Sequence, residues 1–252
     1  PLGLAASREA LKDAGIDSEG LSLEEQRKIS VLMGTGAGGI DFAEAQYAHF
    51  FNRDLNKATP YAISSSFVGM LSSELSIYLG LRGPSHVIST GCTSSSDAIG
   101  YAARLIRHGE AQIVLTGGIE ACITPGIMAG FDRMKVTSTA FNETPERASR
   151  PFNRDRDGFV LGEGAWVFVM ESETSAQKRG ARIYGTVSGY ASTCDAYHRV
   201  MVEPSGEEAA RAMESPALTL GPTLEPADVE SGLSRIHDVA VLGADTTVVL
   251  DG

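Results

Sequence analysis

The stretch Val87-Ile88-Ser89-Thr90-Gly91-Cys92-Thr93-Ser94-Ser95-Ser96-Asp97-Ala98 decides how this chain is read. An apolar run ends at Thr-Gly, a single Cys follows, and Ser and Asp then open a helical pattern. The spacing predicts strand, tight turn and helix, with Cys92 at or near the helix N-terminus. There the positive end of the helix dipole and the unpaired N–H groups favour thiolate over thiol. Cys92 is therefore a candidate nucleophile for acyl transfer. The residues alone leave a second use open, a free Cys packed as a small hydrophobe.

Working outward, Gly83-Pro84 introduces the strand, and the helix after Cys92 runs to Arg107-His108-Gly109, basic residues followed by a glycine stop. Its expected buried side is Ile99, Ala102, Ala103, Leu105 and Ile106, with Arg104 and Arg107 solvated. Residues 111–118 (AQIVLTGG) and 27–34 (RKISVLMG) read as strands apolar on both faces, as a parallel sheet requires. Strand and helix alternate about Cys92, the pattern of an α/β sheet with right-handed crossovers. Helices are expected over residues 2–15, 40–51, 64–81, 174–180 and 207–213. In 64–81, Phe67, Met70, Leu71, Leu75 and Tyr78 would form the apolar side. Residues 159–170 read as two short strands broken at Gly162-Glu163-Gly164, and 182–192 as another strand.

The turn Gly34-Thr35-Gly36-Ala37-Gly38-Gly39 invites a phosphate-binding reading. It matches neither GxGxxG with an acidic residue downstream nor GxxxxGK[ST]. Close approach of backbone to a ligand or a neighbouring helix is its expected use. Bulk properties narrow the classes further. The 252 residues carry a net charge of −11, which argues against nucleic acid or anionic membrane as partner. No apolar run nears the roughly 20 residues that span a bilayer, and the opening residues do not read as a signal peptide. The three Cys, at 92, 122 and 194, lack the spacing of a disulfide framework or a zinc site. A reducing, cytoplasmic setting is expected.

Several further segments share one resemblance. They are Thr90-Gly91-Cys92-Thr93-Ser94, Gly117-Gly118-Ile119-Glu120, Ser149-Arg150-Pro151-Phe152, Asp155-Arg156-Asp157-Gly158-Phe159-Val160-Leu161-Gly162-Glu163-Gly164-Ala165 and Asp195-Ala196-Tyr197-His198. In that order and spacing, over about residues 1–213, the chain resembles the β-ketoacyl-acyl carrier protein synthases. The likeness is to the synthase II type and to the ketosynthase α subunits of aromatic polyketide systems.

The resemblance implies a thiolase-like α/β fold, two similar halves in a layered αβαβα sandwich. Residues 1–180 would be the N-terminal half without its first strand, and 181–252 the beginning of the C-terminal half, atypical after about 231. It implies Cys92 as the acyl-accepting nucleophile, its N–H one donor of an oxyanion hole. Ala37 and Phe131 match positions lining the acyl pocket, where a residue as small as Ala37 leaves room for a bulkier chain. Lys57 and Lys135 match positions that receive acyl carrier protein; as residues they read equally as solvated surface. No metal or redox cofactor is implied, because substrates travel on the carrier's phosphopantetheine. The implied assembly is a homodimer or a ketosynthase–chain-length-factor heterodimer, with neither nucleic acid nor membrane as partner.

The family's two proton-handling histidines, in Asn-Ala-His-Gly and Gly-His motifs, have no counterpart in this sequence. Pro226-Ala227-Asp228-Val229-Glu230 runs into Ser231-Gly232-Leu233-Ser234-Arg235-Ile236-His237, and His237 stands in no matching motif. A truncated chain with condensation lost is therefore expected. Its alternatives are a non-catalytic partner subunit, which Cys92 argues against, and a cysteine hydrolase, for which no placed His is evident. Glu120, Asp157 and Glu163 read as acids that tie loops, His198 as structural, and Cys122 and Cys194 as packing residues.

Overall fold

The computed structural model describes residues 1–214. A four-stranded sheet of order β2-β1-β3-β4 forms its centre, from β1 (Ile29–Gly34), β2 (Ser85–Ile88), β3 (Ile113–Glu120) and β4 (Gly164–Glu171). Strand β1 lies parallel to both β2 and β3, with Leu32 opposite His86 and Thr116. Strand β4 closes the other side antiparallel to β3, Gly118 facing Trp166.

Alternation along the strands sorts side chains onto two faces. Val31, Met33, Leu115 and Ile119 meet Leu11 of α1 (Leu2–Asp13) and Leu75 and Leu79 of α5 (Met70–Leu79). Leu32 and Val114 face the other way, onto Ala98 and Ala102 of α6 (Ser94–Arg107). The small side chains let α6 sit close against the sheet, and both alanines are fully buried. Being covered on both faces, β1 is buried at every residue, which is why its sequence is apolar without alternation. Strand β4 alternates instead. Val167 and Val169 join the α1 side, while Trp166 and Phe168, 56% and 53% exposed, lie uncovered on the α6 side.

The helix over 40–51 forms as read, α3 (Ile40–Phe51), and that over 207–213 becomes α9 (Glu207–Glu214). The helix from residue 174 becomes α8 (Glu173–Lys178), with Ser172 as its N-cap. Other elements depart from expectation. Residues 27 and 28 close a helix, α2 (Leu23–Lys28), rather than opening β1. The signal was present as Ser22…Glu25, a capping box in which each residue satisfies the other's backbone N–H. The long helix over 64–81 is two, α4 (Ala62–Ser66) and α5, separated where Phe67 turns extended. The break carries Phe67 outward, and both it and Tyr78 are exposed.

The two strands expected in 159–170 are one. Phe159 makes a single bridge to Thr137, and β4 begins only at Gly164. Residues 182–192 pair with no strand of the described sheet; Tyr190 turns instead against Ala103 of α6. On α6 itself Ile99, Leu105 and Ile106 are half-buried. Arg104, expected in solvent, is half-buried over the rings of Tyr101 and Tyr190. The readings placed on Pro226 to His237 lie outside the described residues.

Candidate active site

The C-terminal ends of β2, β1 and β3 converge at one edge of the sheet, the side where parallel α/β sheets place ligands. Strand β2 ends at Ile88, and a 3-10 turn, Gly91–Thr93, carries Cys92 into α6. Gly91 makes the turn with φ +70, a left-handed conformation that few side chains tolerate. Cys92 is exposed there, with a free thiol.

Hydrogen bonds hold the turn from inside α6. The Asp97 carboxylate, on the helix's first turn and only 5% exposed, accepts from Thr93 Oγ1 at 2.9 Å and from Thr90 Oγ1 at 2.5 Å. These two threonines bracket Cys92. Ser94 Oγ accepts from the Thr90 N–H at 2.9 Å and lies 2.6 Å from the Gly91 carbonyl, to which it can donate. The other carboxylate oxygen of Asp97 accepts from the hydroxyl of Tyr190, 93 residues downstream. Burial and the neighbouring Asp97 push the Tyr190 hydroxyl well above the ordinary tyrosine range, so it donates as a neutral phenol.

The glycine-rich turn lies beside the Cys92 turn. A Cβ on Gly34 would fall 2.3 Å from the backbone carbonyl of Ser94, and one on Gly39 would fall 2.2 Å from the Ser65 carbonyl oxygen. These glycines serve close backbone approach, as expected. Glu120, at the end of β3, caps the turn by accepting from the Gly36 N–H at 2.7 Å, the Thr35 hydroxyl at 3.2 Å and the Ala37 N–H at 3.3 Å. Ala37 is thereby held next to the nucleophile turn.

The other residues singled out in the sequence are dispersed. Phe131 lies on α7 (Pro125–Arg133), its ring edge-on to Phe159 with centroids 6.2 Å apart. Lys57 pairs with Asp54 at 2.7 Å in an exposed local ion pair. Lys135 follows α7 in a left-handed conformation, φ 56. Glu163 accepts from the Ile123 N–H at 2.9 Å, and Asp157 gathers Ser138, Thr139 and Ala140, so both acids tie loops as expected. His198 Nδ1 accepts from the N–H groups of Val200 and Met201, a structural use. Cys122 is half-buried, and burial, aided by Glu120 and Glu163, pushes its thiol up, away from thiolate chemistry. Cys194 is exposed in its loop, not packed. Among the described residues no cluster of His, Cys, Asp and Glu could hold a metal ion, and no helix is long and apolar enough to cross a membrane.

Sequence reasoning missed Asp97 and Tyr190 as parts of this site. A local signal existed for the first, an acid on the core-facing side of an otherwise small and apolar helix turn. Tyr190 had none.

This arrangement, a thiolase-like α/β layer with an exposed Cys at a strand-to-helix turn, has counterparts among known proteins. The family described as Beta-ketoacyl synthase, N-terminal domain, matches residues 1–176. The chain belongs to the β-ketoacyl synthase family. It is 41% identical over 247 residues to the 3-oxoacyl-[acyl-carrier-protein] synthase 2 of Vibrio cholerae, covering 98% of this chain and 58% of the relative. To the enzyme of the same name from Staphylococcus aureus it is 38% identical over 227 residues, covering 90% and 53–55%. The chain thus spans about half the length of the curated relatives it matches.

Among solved structures, it resembles a ketosynthase in complex with its type II polyketide acyl-carrier protein, bound to the hexaketide. The TM-score is 0.78 and the identity 28%, over 84% of this chain and 53% of that one. A β-ketoacyl synthase from Burkholderia phymatum gives a TM-score of 0.76 at 31% identity, over 86% and 52%. The ishigamide ketosynthase/chain length factor gives 0.71 at 30%, over 84% and 50%.

Proposed function

We propose that this chain carries the acyl-accepting site of a β-ketoacyl-acyl carrier protein synthase, an acyltransferase of fatty acid or polyketide synthesis. The observation that carries the reading is the exposed Cys92 on a turn at the C-terminal edge of parallel strands, fixed by hydrogen bonds from both flanking threonines. The Cys92 sulfur attacks the carbonyl carbon of an acyl thioester on the carrier's phosphopantetheine. The new C–S bond forms as the old one breaks, and the pantetheine sulfur leaves to take up the proton. In the second half-reaction a malonyl-carrier loses carbon dioxide, and its carbanion attacks the acyl-Cys92, forming the new C–C bond as the C–S bond breaks and Cys92 leaves as the thiolate. Neither step needs a metal or redox cofactor. The histidine motifs that serve the second step in this family do not occur in the sequence, so the chain as given is read as an acyl acceptor first.

In this reading Ala37 and Phe131 line the acyl pocket, with Ala37 held beside the nucleophile turn by Glu120. Acyl carrier protein is the proposed donor partner, received by Lys57 and Lys135. The exposed pair of Lys57 with Asp54 is worth under about 1 kcal/mol and is readily exchanged for a carrier carboxylate. Such docking weakens with salt. The uncovered Trp166 and Phe168 face offers apolar surface of the kind that a second half, a second copy or a chain-length-factor subunit covers. A cytoplasmic setting goes with these substrates.

Incubating the chain with an acyl-carrier protein and mapping peptides by mass spectrometry tests the reading. The acyl mass is expected on Cys92 and absent from Cys92→Ala. An adduct that survives in Cys92→Ala, or none in the wild type, would overturn it.

A further inference from the structure

Tyr190 reaches the nucleophile turn from a segment that follows the whole sheet. Its ring, 4% exposed, lies in a seat that only a glycine provides: a Cβ on Gly100 of α6 would fall 2.2 Å from it. Tyr101 packs against that ring at 5.9 Å, and the Arg104 guanidinium covers it at 5.4 Å. So placed, its hydroxyl meets Asp97 on the oxygen that the threonines leave. The carboxylate thus joins three hydroxyls, two on either side of Cys92 and one from a distant segment. The carboxylate is thereby held from both oxygens, by the threonines on one and by Tyr190 on the other.

We propose that Tyr190 and Asp97 are a positioning pair for Cys92, fixing the Thr90–Thr93 turn so that the sulfur points along the line of attack. The proposal rests on the reading of Cys92 as the acyl acceptor. It gives the segment after α8 a part in the chemistry of the first half, since the turn is set only when Tyr190 is seated. Neither residue touches the acyl group; both act through the threonines.

The test measures acylation of Cys92 by a small acyl thioester, as a maximal rate constant and a half-saturating concentration. Tyr190→Phe keeps the ring in its seat and removes only the hydroxyl. Its maximal rate constant is expected to fall ten- to a hundredfold, roughly what an ångström-scale misplacement costs, with half-saturation unchanged. Asp97→Asn is expected to fall similarly. In the double variant the losses should not multiply, because the two groups act as one unit. Leu11→Ala, in the core on the far side of the sheet, is the control for stability alone: its melting temperature falls, but its rate stays within about twofold.

Wild-type rates in Tyr190→Phe, or losses that multiply in the double variant, would overturn the pair while leaving Cys92 the nucleophile. An equal slowing in Leu11→Ala would overturn it too. Failure of the wild-type chain to acquire any acyl group at Cys92 would instead remove the nucleophile reading, and the pair with it.

Discussion

Replacing Gly34 by Ala tests the contact on which the site is built. Gly34 is the last residue of β1, paired with Ile88 of β2 and Gly118 of β3. A methyl group there would lie 2.3 Å from the Ser94 carbonyl carbon and oxygen and 2.5 Å from the Ser95 nitrogen. All three are backbone atoms of the first turn of α6, so no side chain can rotate away. Restoring ordinary contact requires strand and helix to part by about 1 Å. Overpacking of this kind costs ~1–3 kcal/mol, and the rigidity of both partners puts Gly34→Ala at about 3. For a chain of this size that corresponds to a melting temperature lower by about 6–12 °C.

Because the displaced turn carries Cys92, its acylation should slow by about tenfold or more as well. Gly130→Ala provides the contrast. It lies inside α7, where a new methyl meets nothing within 4 Å, and the better helix propensity of Ala should add about 0.5–1 kcal/mol. Calorimetry on the two variants reads both effects. A Gly34→Ala melting temperature within about 2 °C of the wild type would refute the claim that strand and helix meet here at backbone distance.

Two further outcomes follow from titrating groups. Asp157 is held below the usual carboxylate range, first by the Ser138 hydroxyl and then by the Ala140 and Thr139 N–H groups. A depressed folded-state value means that its contribution is present above the unfolded value and lost as pH falls through the folded one. Asp157→Asn should therefore melt below the wild type at pH 7, with the gap closing below about pH 4; a gap constant down to pH 2.5 would contradict this. Timed alkylation with iodoacetamide at pH 8 should label the exposed Cys92 and Cys194 before Cys122, whose thiol is pushed up by burial and by Glu120 and Glu163. Cys122 labelled first would show that its environment has been misjudged.

Much of this was legible in the residues because the forces behind it are local. Strand β1 shows in a run that is apolar apart from Ser30 because both its faces are covered. The start of α6 shows in the Gly91-Cys92-Thr93-Ser94 sequence because a tight turn and a free helix N-terminus demand small and polar residues. Even α2, which the apolar pattern hid, was announced by its capping box. The order and spacing of short motifs were enough to point to the family, since each motif answers to a local need of turn or cap.

The assembly of the site answers to no local need, and there the tertiary structure decided. Glu120 caps the glycine-rich turn 84 residues before it, and Tyr190 finds Asp97 across 93. The first exists because the strand order β2-β1-β3-β4 sets the ends of β1 and β3 side by side, and the second because Tyr190 seats on α6 over Gly100; neither leaves a mark on neighbouring residues. For the same reason one strand, β4 from Gly164, stands where two were expected in 159–170: alternation fits either arrangement, and the register of β4 against β3 selected it. The sequence by itself determined that a Cys stands at a strand-to-helix turn, because backbone sterics and capping act over a few residues. What surrounds that Cys, and what holds its turn, were decided only when the folded sheet brought distant side chains within hydrogen-bonding reach.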